Sequence, residues 1–255
     1  MKNLKKNHKI VIATILVLCL SASIVGCSYR TEIAPIDMTT DTLQLNQETE
    51  IPSLTQTLSV EDEPFNLICK YDTGNYPLSN WHITDAKTIT MKVMTENLPN
   101  EYEVYIDHVH ADILLKSTSP QVNGITQDTM DDSFHGYSQD GFFINNTTEY
   151  YNIFTIEGYT NQFYEMWGFV TGTYGTINAS YSRLTETNLI ANGTYAEKLA
   201  VVYDLSIKKP GSDKLYTKSV LSEVLIPVSQ TVNYAQKDLW TDQYINGTES
   251  TNSIN

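Results

Sequence analysis

The chain has 255 residues, 41% of them hydrophobic, and carries 30 acidic against 16 basic side chains, for a net charge of −14. Length and apolar content suffice for a domain with a real core. The acidic balance excludes nucleic acid and anionic lipid head groups as partners held by bulk charge, and leaves cations, basic partners or simple solubility as its uses.

In chain order, the first nine residues, MKNLKKNHK, hold four lysines and no acid, and Ile10 to Leu20 follows as an apolar run broken only by Thr14. A positive segment before an apolar one is the pattern of a secretory signal, expected over residues 1–26. Ile10 to Gly26 also reaches the short limit of a bilayer span, so an uncleaved anchor helix is the alternative. Ser21, Ala22 and Ser23 soften the end of the run and favour cleavage.

Ile24-Val25-Gly26-Cys27 then resembles the lipobox of bacterial lipoproteins. The resemblance implies a diacylglyceryl group on the Cys27 thiol, cleavage between Gly26 and Cys27, and a mature chain anchored by lipid at the extracytoplasmic face of a bacterial membrane, its cell surface. Two acyl chains give stable anchoring where one gives only marginal binding. Cleavage would remove four lysines and no acid, taking the net charge from −14 to −18. Cys19 would leave with the signal, so Cys69 would have no partner for an intramolecular disulfide. Its apolar setting, Asn66 to Lys70, reads as a buried small side chain.

Residues 27–62 are rich in Thr, Gln, Glu, Ser and Asp and read as a flexible tether. Residues 63–230 read as an all-β domain, an antiparallel β-sandwich with an immunoglobulin-like arrangement as one form of it. Strands are expected at Asn66 to Tyr71, Lys87 to Glu96, Tyr102 to Lys116, Gly141 to Ile144, Tyr150 to Tyr159 and Phe163 to Tyr174. Leu98-Pro99-Asn100 suggests that the second and third of these form a hairpin. Leu199, Val201, Tyr203, Leu205 and Ile207 alternate with more polar residues, Pro210 to Asp213 turns, and Leu215 to Val228 resumes, which predicts another hairpin. One short helix is expected from a Thr185 cap through Glu186, Leu189 and Ile190, stopped by Asn192-Gly193. Residues 231–255 turn polar and read as a tail.

Three constellations could carry chemistry. On a strand, His108, His110 and Asp112 share one face, so two imidazoles and a carboxylate offer part of a Zn²⁺ shell; the rival reading is a solvated face opposite Val109, Ala111, Ile113 and Leu115. A fourth ligand is lacking, with His135 the distant candidate. Asp128, Asp131 and Asp132 gather in a stretch read as an acidic loop that could take Ca²⁺, although the spacing of an EF-hand is missing. Ser133 and His135 lie close together, but the G-x-S-x-G elbow of acyl-transfer enzymes is absent. Finally, 14 of the 27 aromatic residues fall between Phe134 and Tyr181, enough for both core and a recognition face on Phe142, Phe143, Tyr150, Tyr151, Tyr164 and Trp167.

The expected function is therefore non-enzymatic binding of a protein or glycan at the cell surface, without a cofactor. The alternatives are a metal-binding module or metal-dependent enzyme on His108, His110 and Asp112, and the solute receptor of a transporter. The latter fits poorly with so few helices.

Overall fold

The computed structural model describes residues 40–45, 50–120, 122–134, 141–158, 171–172, 175–176 and 186–231. Cys27, His135, Tyr164, Trp167, the signal segment and the polar tail from residue 232 lie outside them.

The fold is all-β, two antiparallel sheets closed over one core. The first sheet runs in the order β1 (Gln44–Leu45), β2 (Pro52–Ser59), β3 (Asn66–Asp72), β4 (Lys87–Glu96), β8 (Tyr150–Ile156). The second runs β12 (Leu215–Pro227), β11 (Thr194–Lys208), β5 (Glu103–Ser117), β6 (Thr126–Ser133), with β7 (Phe142–Ile144) also paired to β5. β9 (Thr171–Gly172) and β10 (Gly175–Thr176) pair with each other. A six-residue helix, α1 (Glu186–Ala191), ends where Gly193 adopts a φ of +80° and donates its N–H to the Ile190 carbonyl at 2.8 Å. That left-handed residue is why the helix stops where Asn192-Gly193 predicts. Among the described residues no helix is long and apolar enough to cross a membrane.

Period-two patterning sets the core. Leu199, Val201, Tyr203, Leu205 and Ile207 of β11 are fully buried, as are Ile89 and Met91 of β4 and Leu67 and Cys69 of β3. The hairpin of β11 and β12 is continuous from Ala196 opposite Pro227 to Lys208 opposite Leu215, as the alternation around Pro210 to Asp213 requires.

Three expectations are corrected. β4 and β5 form no hairpin: β4 pairs with β3 and β8, and β5 with β11, β6 and β7. Asn97 takes a φ of +62°, Leu98 is buried, and the Asn146 side chain grips the Leu98 backbone at both N–H (2.9 Å) and carbonyl (3.0 Å), so the chain crosses from one sheet to the other. The tether does not reach residue 62, because β2 is paired to β3 over seven residues and Leu43 is buried. The acidic stretch is no loop: Thr126–Ser133 is strand β6, with polar residues on both faces.

The sheets are also joined through polar atoms inside the core. Tyr71 of β3 donates its hydroxyl to Ser222 Oγ of β12 at 2.6 Å, leaving Tyr203 of β11, 3.1 Å away, to donate to Tyr71. Ser222 donates in turn to Gln56 Oε1 of β2 at 2.6 Å, and Gln56 Nε2 reaches Asp41 Oδ2 at 2.8 Å. The hydroxyls of Tyr71, Tyr203 and Ser222 thus each have a partner, which offsets their desolvation. Cys69 lies beside this chain, and burial pushes its thiol up to about 12.

Candidate functional site

The histidine strand is built by a bulge. In β5, Val104 and Ile106 face the core at even positions, whereas Val109, Ala111, Ile113 and Leu115 face it at odd ones. The phase changes at Asp107: His108 lies opposite Asp204 and Ile106 opposite Leu205, leaving Asp107 unopposed in the register with β11. Ser206 holds the Asp107 carboxylate, and Gly141 lies so close that an added Cβ would fall 2.5 Å from the Ile106 carbonyl oxygen. Without the extra residue, His108 and His110 would point into the core. With it, both stand half-exposed on the outer face.

Neighbouring strands complete the array. One row across the sheet is Leu221, Val202, His110 and Asp131; the next is Ser219, Asp204, His108 and Ser133; the third is Glu223, Ala200, Asp112 and Thr129. His108 Nδ1 is 3.3 Å from Asp204 Oδ2 and its Nε2 is 3.0 Å from Asp131 Oδ1. His110 Nδ1 is 2.8 Å from the same Asp131 Oδ1, and its Nε2 is 3.2 Å from Asp112 Oδ2. Ser219 donates to Asp204 Oδ1 at 2.5 Å. The result is an alternating chain, Asp204, His108, Asp131, His110, Asp112, lying across β11, β5 and β6.

A carboxylate only accepts and a neutral imidazole carries one N–H, so an imidazolium can donate to two of these carboxylates at once where a neutral ring donates to one. Donating to Asp131 raises the His110 pKa, and accepting that bond lowers the pKa of Asp131. Among the described residues no group of three or more His, Cys, Asp or Glu is arranged to hold a metal ion.

The other expected ligands point elsewhere. Asp132 Oδ2 accepts from Tyr150 Oη and Asn152 Nδ2, both at 2.8 Å, tying β6 to β8 across the two sheets. Asp128 Oδ2 accepts the Glu157 backbone N–H at 2.9 Å. Asp128, Asp131 and Asp132 are therefore three separate anchors of an edge strand rather than one oxygen cage.

The aromatic residues divide as well. Phe142 stacks edge-on to Tyr150 with ring centroids 5.7 Å apart, and Phe134 joins both, so these rings pack in the core. Phe143 and Tyr151 are 39% and 54% exposed, but Phe143 lies beside Tyr105 on the histidine sheet and Tyr151 on the outer face of the first sheet. Tyr151 has Ile153, 45% exposed, two residues along β8, and the Lys92 ammonium 5.6 Å from its ring centre.

Sequence reasoning missed a buried cluster at the other end of the strands. Lys87 Nζ lies 3.1 Å from Glu197 Oε1, Trp81 Nε1 donates to Glu197 Oε2 at 2.8 Å, and Lys87 also donates to the His82 carbonyl. His82 Nδ1 is 3.0 Å from Glu186 Oε1, which also accepts the Ile83 N–H. The signal was available: Lys87 is in phase with Ile89, Met91 and Val93, and Glu197 with Leu199 and Val201.

Comparison with protein-family models and with curated proteins finds no match. Among solved structures, a protein from Archaeoglobus fulgidus aligns with 67% of this chain and 92% of its own at 13% identity, with a TM-score of 0.25. So slight a likeness bears on neither fold nor function.

Proposed function

We propose that this chain is a bacterial lipoprotein, anchored through Cys27 at the extracytoplasmic face of the membrane, whose β-sandwich binds a protein or glycan without catalysing a reaction. The observation that carries the anchoring is the sequence Ile24-Val25-Gly26-Cys27 directly after a basic and apolar leader. The folded part suits a binding role: its thiol is sealed in the core, and its exposed aromatic and aliphatic side chains stand on rigid paired strands. Of the aromatic residues expected to bind, Tyr151 best fits a docking surface, with Ile153 beside it and Lys92 over its ring.

Labelling of cells with radioactive palmitate tests the anchor. Wild type incorporates label and fractionates with membranes, whereas Cys27→Ala incorporates none and accumulates as unprocessed precursor. A Cys27→Ala protein that still carries label would overturn the assignment.

A further inference from the structure

We propose that His110 and Asp131 form a proton-operated latch: a protonated His110 clamps edge strand β6 onto β5, and its proton loss loosens that strand and raises the negative charge of the outer face. The inference is independent of how the chain is anchored, because it rests only on the arrangement of the sheet.

The geometry carries it in two steps. First, Asp131 Oδ1 is shared by His108 Nε2 at 3.0 Å and His110 Nδ1 at 2.8 Å, while the opposite ring nitrogens face Asp204 and Asp112. Loss of one proton from the His110 imidazolium turns one of its hydrogen bonds into a lone pair facing a carboxylate, which is repulsive. Second, Asp131 belongs to β6, whose strand partner is β5, so the bonds to Asp131 that weaken on proton loss are ones that span the ladder.

The charged groups nearest the rings are acidic, with Lys116 and Lys198 farther along β5 and β11. β5 contributes Asp112 and the bulged Asp107, the latter held by Ser206; β11 contributes Asp204; β6 contributes Asp131, with Asp128 and Asp132 turned to Glu157 and Tyr150. β12 brings Ser219 and Glu223, and Glu223 is already paired with Lys198; at the far end of the face Glu103 is paired with Lys208. The three carboxylates that face the rings thus carry a net charge of −1 with both rings protonated and −3 with both neutral. The neighbouring carboxylates favour the protonated His110 ring, in keeping with its raised pKa.

Imidazole NMR titration of the full-length protein between about pH 5 and pH 9, with hydrogen exchange of the β6 amides over the same range, tests the latch. His108→Gln and His110→Gln assign the resonances, and Asp131→Asn removes the shared acceptor. The expected result is a His110 midpoint above its ordinary value of about 6.5, moving down in Asp131→Asn. Protection of β6, corrected for intrinsic exchange, should fall about tenfold per pH unit above the unfolded histidine value and level off past the raised midpoint. In Asp131→Asn it should be lower and independent of pH, while the β11 and β12 amides stay protected in every sample. A His110 midpoint at or below about 6.5, or β6 protection that does not change with pH in the wild type, would overturn the proposal.

Discussion

Lys87 Nζ and Glu197 Oε1 form an ion pair 3.1 Å apart with neither side chain exposed to solvent. Such a pair is tolerated because further contacts support it: Trp81 Nε1 donates to the carboxylate, the ammonium donates to the His82 carbonyl, and it sits 4.8 Å from the Trp81 ring centre. Removing one partner strands the other charge in the core. Lys87→Met is expected to cost about 3–5 kcal/mol, and Lys87→Met with Glu197→Leu to recover much of it. Denaturant melts of both singles and the double close the cycle; a single-mutant cost below about 1 kcal/mol would contradict the picture.

Cys69 gives a chemical readout of the core. Burial raises its thiol to about 12, so little thiolate exists at neutral pH and no reagent reaches it. In native protein its labelling by a thiol reagent should proceed no faster than unfolding, and become complete within the mixing time in denaturant. Rapid labelling of the native state would show that β3 opens locally.

Two glycines separate backbone strain from crowding. Gly193 and Gly211 both have positive φ, at +80° and +71°. A Cβ on Gly193 would fall 1.9 Å from Thr118 Oγ1, whereas one on Gly211 meets nothing within 4 Å. Gly211→Ala should cost about 1–2 kcal/mol from conformation alone, and Gly193→Ala clearly more. Equal melting temperatures for the two variants would show that Thr118 yields freely.

The pairing of His110 and Asp131 predicts a two-sided pH profile. Asp131 is lowered first by its hydrogen bond with His110, so its contribution is present above the ordinary Asp pKa of about 3.9 and lost as pH falls through the lower folded value. His110 is raised first by its bond with Asp131, so its contribution is full below about 6.5 and lost as pH rises through the higher folded value. Stability from the pair is therefore greatest between about pH 4 and pH 6.5. Thermal melts across pH should show both limbs in the wild type and shallower ones in Asp131→Asn.

Tyr151 and Ile153 are exposed on β8, so truncating them removes little native packing. Tyr151→Ala with Ile153→Ser should keep stability within about 0.5 kcal/mol per site. The same double variant is expected to lose surface cross-links that the wild type makes on intact cells. Unchanged cross-linking would remove this face from the binding proposal.

How much of this was legible depends on the range of the interaction. The strand from Lys87 to Glu96 matches β4 residue for residue, and the alternation from Leu199 to Ile207 marks the buried face of β11. The helix after Thr185 and its stop at Gly193 are local too, a matter of a few torsions and one backbone hydrogen bond. The site was half legible: spacing placed His108 and His110 on one face, but only the bulge at Asp107 keeps that face outside.

Sequence alone determined the strands with strong alternation, β4 and β11 among them, and which of their faces turn inward, because side-chain direction alternates within a regular strand; β2 and β6, read as tether and loop, emerged only in the structure. Tertiary structure decided which strands are neighbours. It sent β4 and β5 to different sheets, set Asp131 between two histidines more than twenty residues earlier, and brought Lys87 to Glu197 across the core. Those choices rest on hydrogen bonds and charges between distant segments, and no local pattern of residues encodes the partner.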